Sequence, residues 1–435
     1  MLNAELQKHR EGRTHRRIVH AWCLYDWANS AFATTIMAAL LPPFYKTVAG
    51  VGLPGNRATV YWGYTTSIAL FLIALLAPIL GAIADYTGWK KRFLAAFTAL
   101  GIVFTCLLIF VGTGDVLLAS VVFIVANVGF AGGEVFYNAL LPYVAGPGEI
   151  DQISAKGYAP GYLGGGLLLA INVIWILTPK TFLLPDPTAA IRLSFISAGL
   201  WWALFSIPIL RVVPEPSVPG ASKSHPHWIT EGFRQLHRTL REIRRYSELA
   251  MFLLAFWIYN DGIGTIIKMA TIYGTEIGIG QTNLIGALLV TQFVGIPCSL
   301  LFGRLAARIG AKSSIYLGLS VYALIAVWAY FMVHAWTFWV LAFLVGCVQG
   351  GTQALSRSLF GALVPKDRTA EFFGFYSVSA KFAGIAGPFL FALVGQITGS
   401  SRVSILSLIV FFIAGGLILA RVDEEAGRRR VNALG

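Results

Sequence analysis

The chain has 435 residues, of which 57% are hydrophobic and 12% charged, where an ordinary soluble domain carries roughly 25% charged residues. Its mean hydropathy is +0.71, and apolar runs of the ~20 residues that cross a bilayer recur from end to end. These figures exclude a soluble enzyme, a disordered tail and a disulfide scaffold; the net charge of +13 becomes a matter of where the charges lie, with no nucleic-acid partner implied. The chain reads as an all-α polytopic membrane protein.

Residues 1–21 are a polar, basic tail, and no small-residue cleavage site follows a short apolar core, so the first span is expected to stay in the mature protein. Spans are predicted over 22–45, 60–84, 93–112, 116–145, 157–178 and 191–210, and again over 249–273, 281–303, 313–333, 336–363, 372–397 and 401–421. They form two six-helix bundles, 22–210 and 249–421, joined by a polar linker, 211–248, and followed by a tail, 422–435. Within the linker Ile229, Phe233, Leu236, Leu240 and Ile243 recur at helical spacing, with Arg234, Arg238, Arg241 and Arg245 on the adjoining face. An amphipathic helix over 228–246 is therefore predicted to lie on anionic lipid, the alternative being a groove in a calmodulin-like partner.

With the N-terminus inside, 25 of the 33 Lys and Arg fall in inside segments, 5 in outside loops, and 3 (Lys268, Arg357 and Lys381) within spans. An odd span count would break that asymmetry, so both termini are expected to be cytoplasmic. Cys23, Cys106, Cys298 and Cys347 sit in or at the ends of apolar runs and read as small buried hydrophobes, not as a disulfide or metal framework.

The loop after the second span reads GAIADYTGWKKRF (Gly81–Phe93), and the loop after the eighth reads GRLAARIGAKSSI (Gly303–Ile315). A constant offset of 222 pairs Gly81 with Gly303, Ala84 with Ala306, Gly88 with Gly310 and Lys90 with Lys312. The same loop in the same place of two halves implies duplication. The first copy resembles the major facilitator loop signature through Gly81, Ile83, Ala84, Asp85, Gly88, Lys90 and Phe93, with Tyr86 and Trp89 where Arg is usual. The second copy keeps Arg308 but has Ala307 in place of the acid. The first span, YDWANSAFATTI (Tyr25–Ile36), resembles the opening of the vacuole-effluxer family, whose fungal members are linked to autophagy. That resemblance implies twelve transmembrane helices in two repeats, rocker-switch alternating access, and a gate built from Gly81, Asp85, Gly88 and Lys90 with Gly303, Arg308, Gly310 and Lys312. For the fungal branch it implies amino-acid export. The location it implies is the inner membrane in a bacterium or the vacuolar membrane in a fungus.

A charge at mid-bilayer costs roughly 2.5–3.5 kcal/mol on insertion scales, so embedded charges tend to face a cavity or each other. Six stand out: Asp26, Glu134, Asp261, Lys268, Arg357 and Lys381. Asp26, Asn29 and Ser30 share a face of span 1; Asn127, Glu134 and Asn138 one of span 4; Asp261 and Lys268 one of span 7; Gln349, Gln353 and Arg357 one of span 10. The family resemblance puts those spans around a central cavity. Substrate is therefore expected at Asn29, Asn127, Glu134, Asn138, Asp261, Lys268, Gln349, Gln353, Arg357 and Lys381, and the coupling proton at Asp26 or Glu134. A zwitterion would bridge the halves, ammonium toward Glu134 and carboxylate toward Lys268 or Arg357. The competing structural readings pair Asp26 with Arg16 or Arg17 and Asp261 with Lys268, and let Arg357 and Lys381 reach the interface along their stems.

Gly157, Gly161, Gly165 and Gly166 allow close packing of span 5 and resemble the superfamily's antiporter motif, with Tyr162 where its Pro would stand. Gly262 and Gly264 suggest local unwinding of span 7, and Tyr25, Trp27, Tyr137, Trp257 and Tyr259 suggest aromatic cavity walls. No GxxxxGK[ST], HExxH or CxxC motif occurs, and all seven histidines lie outside the span centres. The chain therefore reads as a cofactor-free secondary transporter of a small polar solute, acting as a monomer with protons as co-substrate, and not as an enzyme. A sugar or organic-ion carrier is the alternative within transport; an intramembrane enzyme would need clustered catalytic acids or histidines, and a channel fits two complete repeats poorly.

Overall fold

A computed structural model of the chain describes residues 2–53, 57–146, 148–216, 234, 237, 246–276, 279, 281–382, 384 and 386–434. Among the described residues all regular structure is helical, as lipid demands of a chain whose backbone polar groups have no water to bond. The first half holds α1 (Leu2–Ala31), α2 (Arg57–Thr87), α3 (Lys90–Leu107), α4 (Val116–Val144), α5 (Ile150–Leu177) and α6 (Pro187–Val212). The second holds α7 (Ser247–Glu276), α8 (Gln281–Ile309), α9 (Ala311–Tyr330), α10 (Ala335–Leu363), α11 (Thr369–Phe382, then Ala386–Thr398) and α12 (Ser401–Ser407, then Ile409–Ala420), with a short α13 (Glu424–Leu434) after it. Ten of these helices are long and apolar enough to cross a membrane; α1, with its polar start, and the divided α11 complete the twelve expected.

The differences from the sequence reading are at helix ends and at one expected break within a helix. Helix α1 begins at Leu2, not at residue 22, because hydropathy sees only the part of a helix that lies in lipid. It continues past Ala31 through π-helical turns, Phe32–Leu40 and Tyr45–Ala49, on either side of Pro42 and Pro43. Neither proline can donate to the ladder, and the flanking turns take the wider register. Helix α7 is continuous through Gly262 and Gly264, so the expected unwinding is absent. Both glycines stay helical, and Gly262 instead admits the Cβ of Phe411 and the ring of Phe412 from α12. The amphipathic helix expected over 228–246 lies outside the described residues, apart from Arg234, His237 and Tyr246.

The two halves meet along α2 with α11 and α5 with α8. A Cβ at Gly81 would collide with the backbone of Ala370, and one at Gly374 would stand 2.7 Å from the Ala77 carbonyl oxygen. These glycines let the α2 and α11 backbones touch. The loops on either side of these contacts gather at one end of the bundle, with both chain termini; it is called the terminal end below.

Candidate functional site

Between the halves lies a cavity of about 560 Å³, lined from Asp26 and Arg357 near the terminal end to Met332 and Phe338 at the far end. Of the residues expected from the sequence, Asp26, Asn29, Glu134, Asn138, Gln349, Gln353 and Arg357 line it together. Asn127 does not: the lining of α4 begins at Phe130, and Asn127 is buried in the packing of the first half. Asp261 is also off the cavity; its Oδ1 accepts from the backbone N–H of Gly387 at 2.9 Å, where α11 resumes. Lys268 and Lys381 lie in α7 and α11, with side chains outside the described set.

The floor of the cavity is built around Arg357. It is only 3% exposed, so it does not reach for the interface along its stem, as the structural reading had it. The hydrogen-bond, ion-pair and ring partners described for it come from the opposite half. Its Nε donates to Ser154 Oγ at 2.9 Å, its Nη2 to the Ser154 carbonyl at 2.8 Å, and its Nη1 to Asn138 Oδ1 at 3.1 Å. Asp26 Oδ2 lies 3.5 Å from Nη1 and accepts from the Tyr137 hydroxyl at 2.9 Å. Asp26 therefore pairs with Arg357, not with Arg16 or Arg17. The guanidinium carbon sits 4.5–5.5 Å from the ring centroids of Trp22, Tyr137 and Tyr158, within the range of cation–π attraction. Ser154 was missed by the sequence reading, since a lone serine at the start of a helix carries no signal.

The aromatic walls differ from expectation as well. Of the five rings named, only Tyr137 lines the cavity. Tyr25 bonds Thr98, Trp27 stacks on Trp201, Tyr259 bonds Ser356, and Trp257 points outward at 43% exposure. The rings present are instead Tyr158, Tyr162, Phe256, Tyr273 and Tyr376, with Phe130 and Phe338. Glu134 is half-buried on this wall. The far part of the cavity, contributed by the second half, is apolar, through Ile266, Ile267, Leu288, Ile325 and Leu341.

At the terminal end the first copy of the repeated loop crosses between the halves. Asp85 accepts from the backbone N–H groups of Ala370 (3.1 Å) and Glu371 (2.7 Å), the N-terminus of α11, and holds Lys90 Nζ at 2.6 Å with both side chains fully buried. A carboxylate there completes two orphan helix donors and meets the positive end of the helix dipole. Tyr143 beside Lys90 donates its hydroxyl to the Lys366 carbonyl, again across the halves. Gly88 and Gly310 both have positive φ, +70° and +87°, which explains why glycine recurs at that loop position.

The second copy does different work. Arg308 is exposed, and Gly303 lies against Ala155. Lys312 donates from its backbone N–H to Glu424 and from Nζ to the carbonyls of Ala420 and Val422. In the first half it is Lys91, not Lys90, that makes the matching contacts, to Glu215 and to the Val213 carbonyl. The offset of 222 that pairs Lys90 with Lys312 therefore slips by one after Gly88, where the first loop is one residue longer before its helix begins. Each half thus carries the same clasp, joining the start of its third helix to the end of its sixth. Burial pushes both clasp carboxyls, Glu215 and Glu424, above the ordinary range despite the neighbouring lysines.

The family described as "Vacuole effluxer Atg22 like" matches residues 14–150 and 147–432, and the chain belongs to it. It is 43% identical over 408 residues to the uncharacterized MFS-type transporter YxiO of Bacillus subtilis (strain 168), across 93% of this chain and 95% of that one. Autophagy-related protein 22 of Yarrowia lipolytica is 25% identical over 458 residues, across 85% of this chain and 77% of its own. Among solved structures, the human organic anion transporter MFSD10 superposes with a TM-score of 0.73 at 14% identity, covering 93% of this chain and 99% of that one. The Escherichia coli fucose:proton symporter FucP superposes with a TM-score of 0.71 at 14% identity, covering 94% and 98%. The chain is a multi-pass membrane transporter with the major facilitator fold.

Proposed function

We propose that this transporter exports a small polar solute, amino acids being the first class to test, in exchange with or alongside protons. The observation that carries this reading is the floor of the cavity, where Asp26 and Arg357 pair across the two halves beneath Asn29, Glu134 and Asn138. A solute carrying an ammonium group meets Glu134 and nearby tyrosine rings, and protonation of Asp26 would loosen its hold on Arg357. The family's description as effluxers supports the direction. In this reading the terminal end is cytoplasmic, as the distribution of Lys and Arg favours, and the protein works as a monomer in the bilayer with anionic lipid under its linker.

The test is reconstitution in liposomes with an imposed pH gradient and a panel of labelled amino acids and sugars. Gradient-driven amino-acid movement that Glu134→Gln abolishes is the expected result. Movement of a sugar or organic ion instead keeps the fold and retires the amino-acid assignment. Unchanged, still pH-driven transport in Glu134→Gln removes that residue from proton coupling.

A further inference from the structure

The planar guanidinium of Arg357 has two edges with different duties. The Nη1 edge faces the cavity, shared by Asn138 at 3.1 Å and a longer contact to Asp26 at 3.5 Å. The Nε and Nη2 nitrogens are fixed to one residue of the opposite half, Ser154, through its hydroxyl and its carbonyl. That hydroxyl also donates to the Ala354 carbonyl at 2.6 Å, so Ser154 holds α10 at two points one turn apart. Ser154 is fully buried one turn into α5, on the terminal side of the cavity floor. Because the guanidinium is rigid, Nη1 cannot move toward a new partner without tilting Nε and Nη2 off Ser154.

We infer that Ser154 is a positioning residue through which events on the cavity side of Arg357 reach the seal at the terminal end. A ligand or proton that changes what Asp26 and Asn138 offer to Nη1 weakens the Ser154 contacts, which are among those that must part for the terminal end to open. The seal at Asp85 stands apart from this one: it joins α2 to α11, and no hydrogen bond described here links the two. This inference rests on the transporter reading for its purpose, but its test needs no knowledge of the solute.

Spin labels at Arg92→Cys and Arg308→Cys, exposed at the terminal end of each half, would report the separation by double electron–electron resonance, with the four native cysteines replaced. Ser154→Ala deletes one bond to a cation and one neutral bond, so the long-distance population is expected to rise about tenfold or more. Ser154→Thr, which keeps the hydroxyl, should hold the distribution of the parent. Asp26→Asn, or Asn138→Leu if that variant fails to fold, should also favour the long distance. Combined with Ser154→Ala, either should add little to the larger single effect, whereas Asp85→Asn combined with Ser154→Ala should multiply the two effects. An unchanged distribution in Ser154→Ala overturns the inference, and so does simple multiplication of the Asp26 and Ser154 effects. A failed search for the solute, with these distances as stated, would leave the relay standing and count only against the substrate reading.

Discussion

Asp85→Asn separates two jobs that one carboxylate performs. The first job lies within a half: Asp85 neutralises Lys90, 2.6 Å away with no exposure of either side chain. Leaving an ammonium buried without its partner costs about 3–5 kcal/mol, and that cost falls on the fold. The second job lies between halves: two backbone N–H groups of α11 bond the two oxygens, at 3.1 and 2.7 Å. The amide retains one oxygen, so one charge-assisted bond of about 1.5–3 kcal/mol is lost, and the remaining bond weakens as the charge goes. Only this second loss changes the balance between closed and open terminal ends, by at least about tenfold toward open. Two readouts therefore diverge. Thermal unfolding in detergent should drop sharply in Asp85→Asn and recover in Asp85→Asn with Lys90→Met, where no ammonium is left stranded. The label distance across the terminal end should lengthen in both. If the distance distribution of Asp85→Asn matches the parent, or if Lys90→Met restores closure as well as stability, the helix cap is not what holds the end shut.

Three further outcomes follow from the same contacts. Gly81→Val should prevent α2 and α11 from closing, since even one added carbon meets the Ala370 backbone; the label distance should stay long with little loss of helix content by circular dichroism. Lys312→Met should free the C-terminal helix, raising amide exchange over 424–434 severalfold while the cavity residues keep their protection. The Asp423 carboxyl, which accepts from the Ala426 N–H, is held below the usual carboxylate range chiefly by that bond. A depressed value means the cap contributes stability above the ordinary carboxylate range and loses it as pH falls through the lowered one. The protection factor of the amides at the start of α13 should accordingly fall on acidification, once the pH dependence of intrinsic exchange is divided out, and Asp423→Asn should flatten that dependence.

The fold was legible because lipid leaves the sequence little choice. Twelve apolar stretches, a charge bias in the loops and a duplicated loop admit few arrangements, and the described helices follow them except at their ends. The ends were illegible for a related reason. The polar start of α1 and its passage into the span are held by contacts distant in sequence, His15 to Glu149 and Trp22 to the Tyr137 carbonyl, and no local pattern announces them. Helical periodicity also proved right about faces and silent about depth. Asn127 shares a face with Glu134 and Asn138 but sits beyond the level at which α4 borders the cavity. Asp261 lies in a cavity-bordering helix yet turns to cap the second piece of α11.

The duplicated loop shows where reading a repeat stops being informative. Sequence alone made the two copies equivalent and the acid optional, since Ala307 stands where the second would be. In the structure the shared part is the clasp, Lys91 with Glu215 and Lys312 with Glu424, which ties each half to itself. The part that reaches across to the other half is the unshared acid, Asp85. On the opposite side of the interface, α5 and α10 are sealed by Ser154 and Arg357 rather than by a second loop carboxylate. The presence of the acid in one repeat only therefore has a consequence: one seal is a helix cap away from the cavity lining, and the other is made of the cavity's own floor. Only the second can respond directly to what the cavity holds. An arrangement with two loop acids would have no such asymmetry, and introducing the second by Ala307→Asp is expected to strengthen closure only if that carboxylate finds donors on α5; its exposed neighbour Arg308 would otherwise pair with it and leave the closed fraction unmoved.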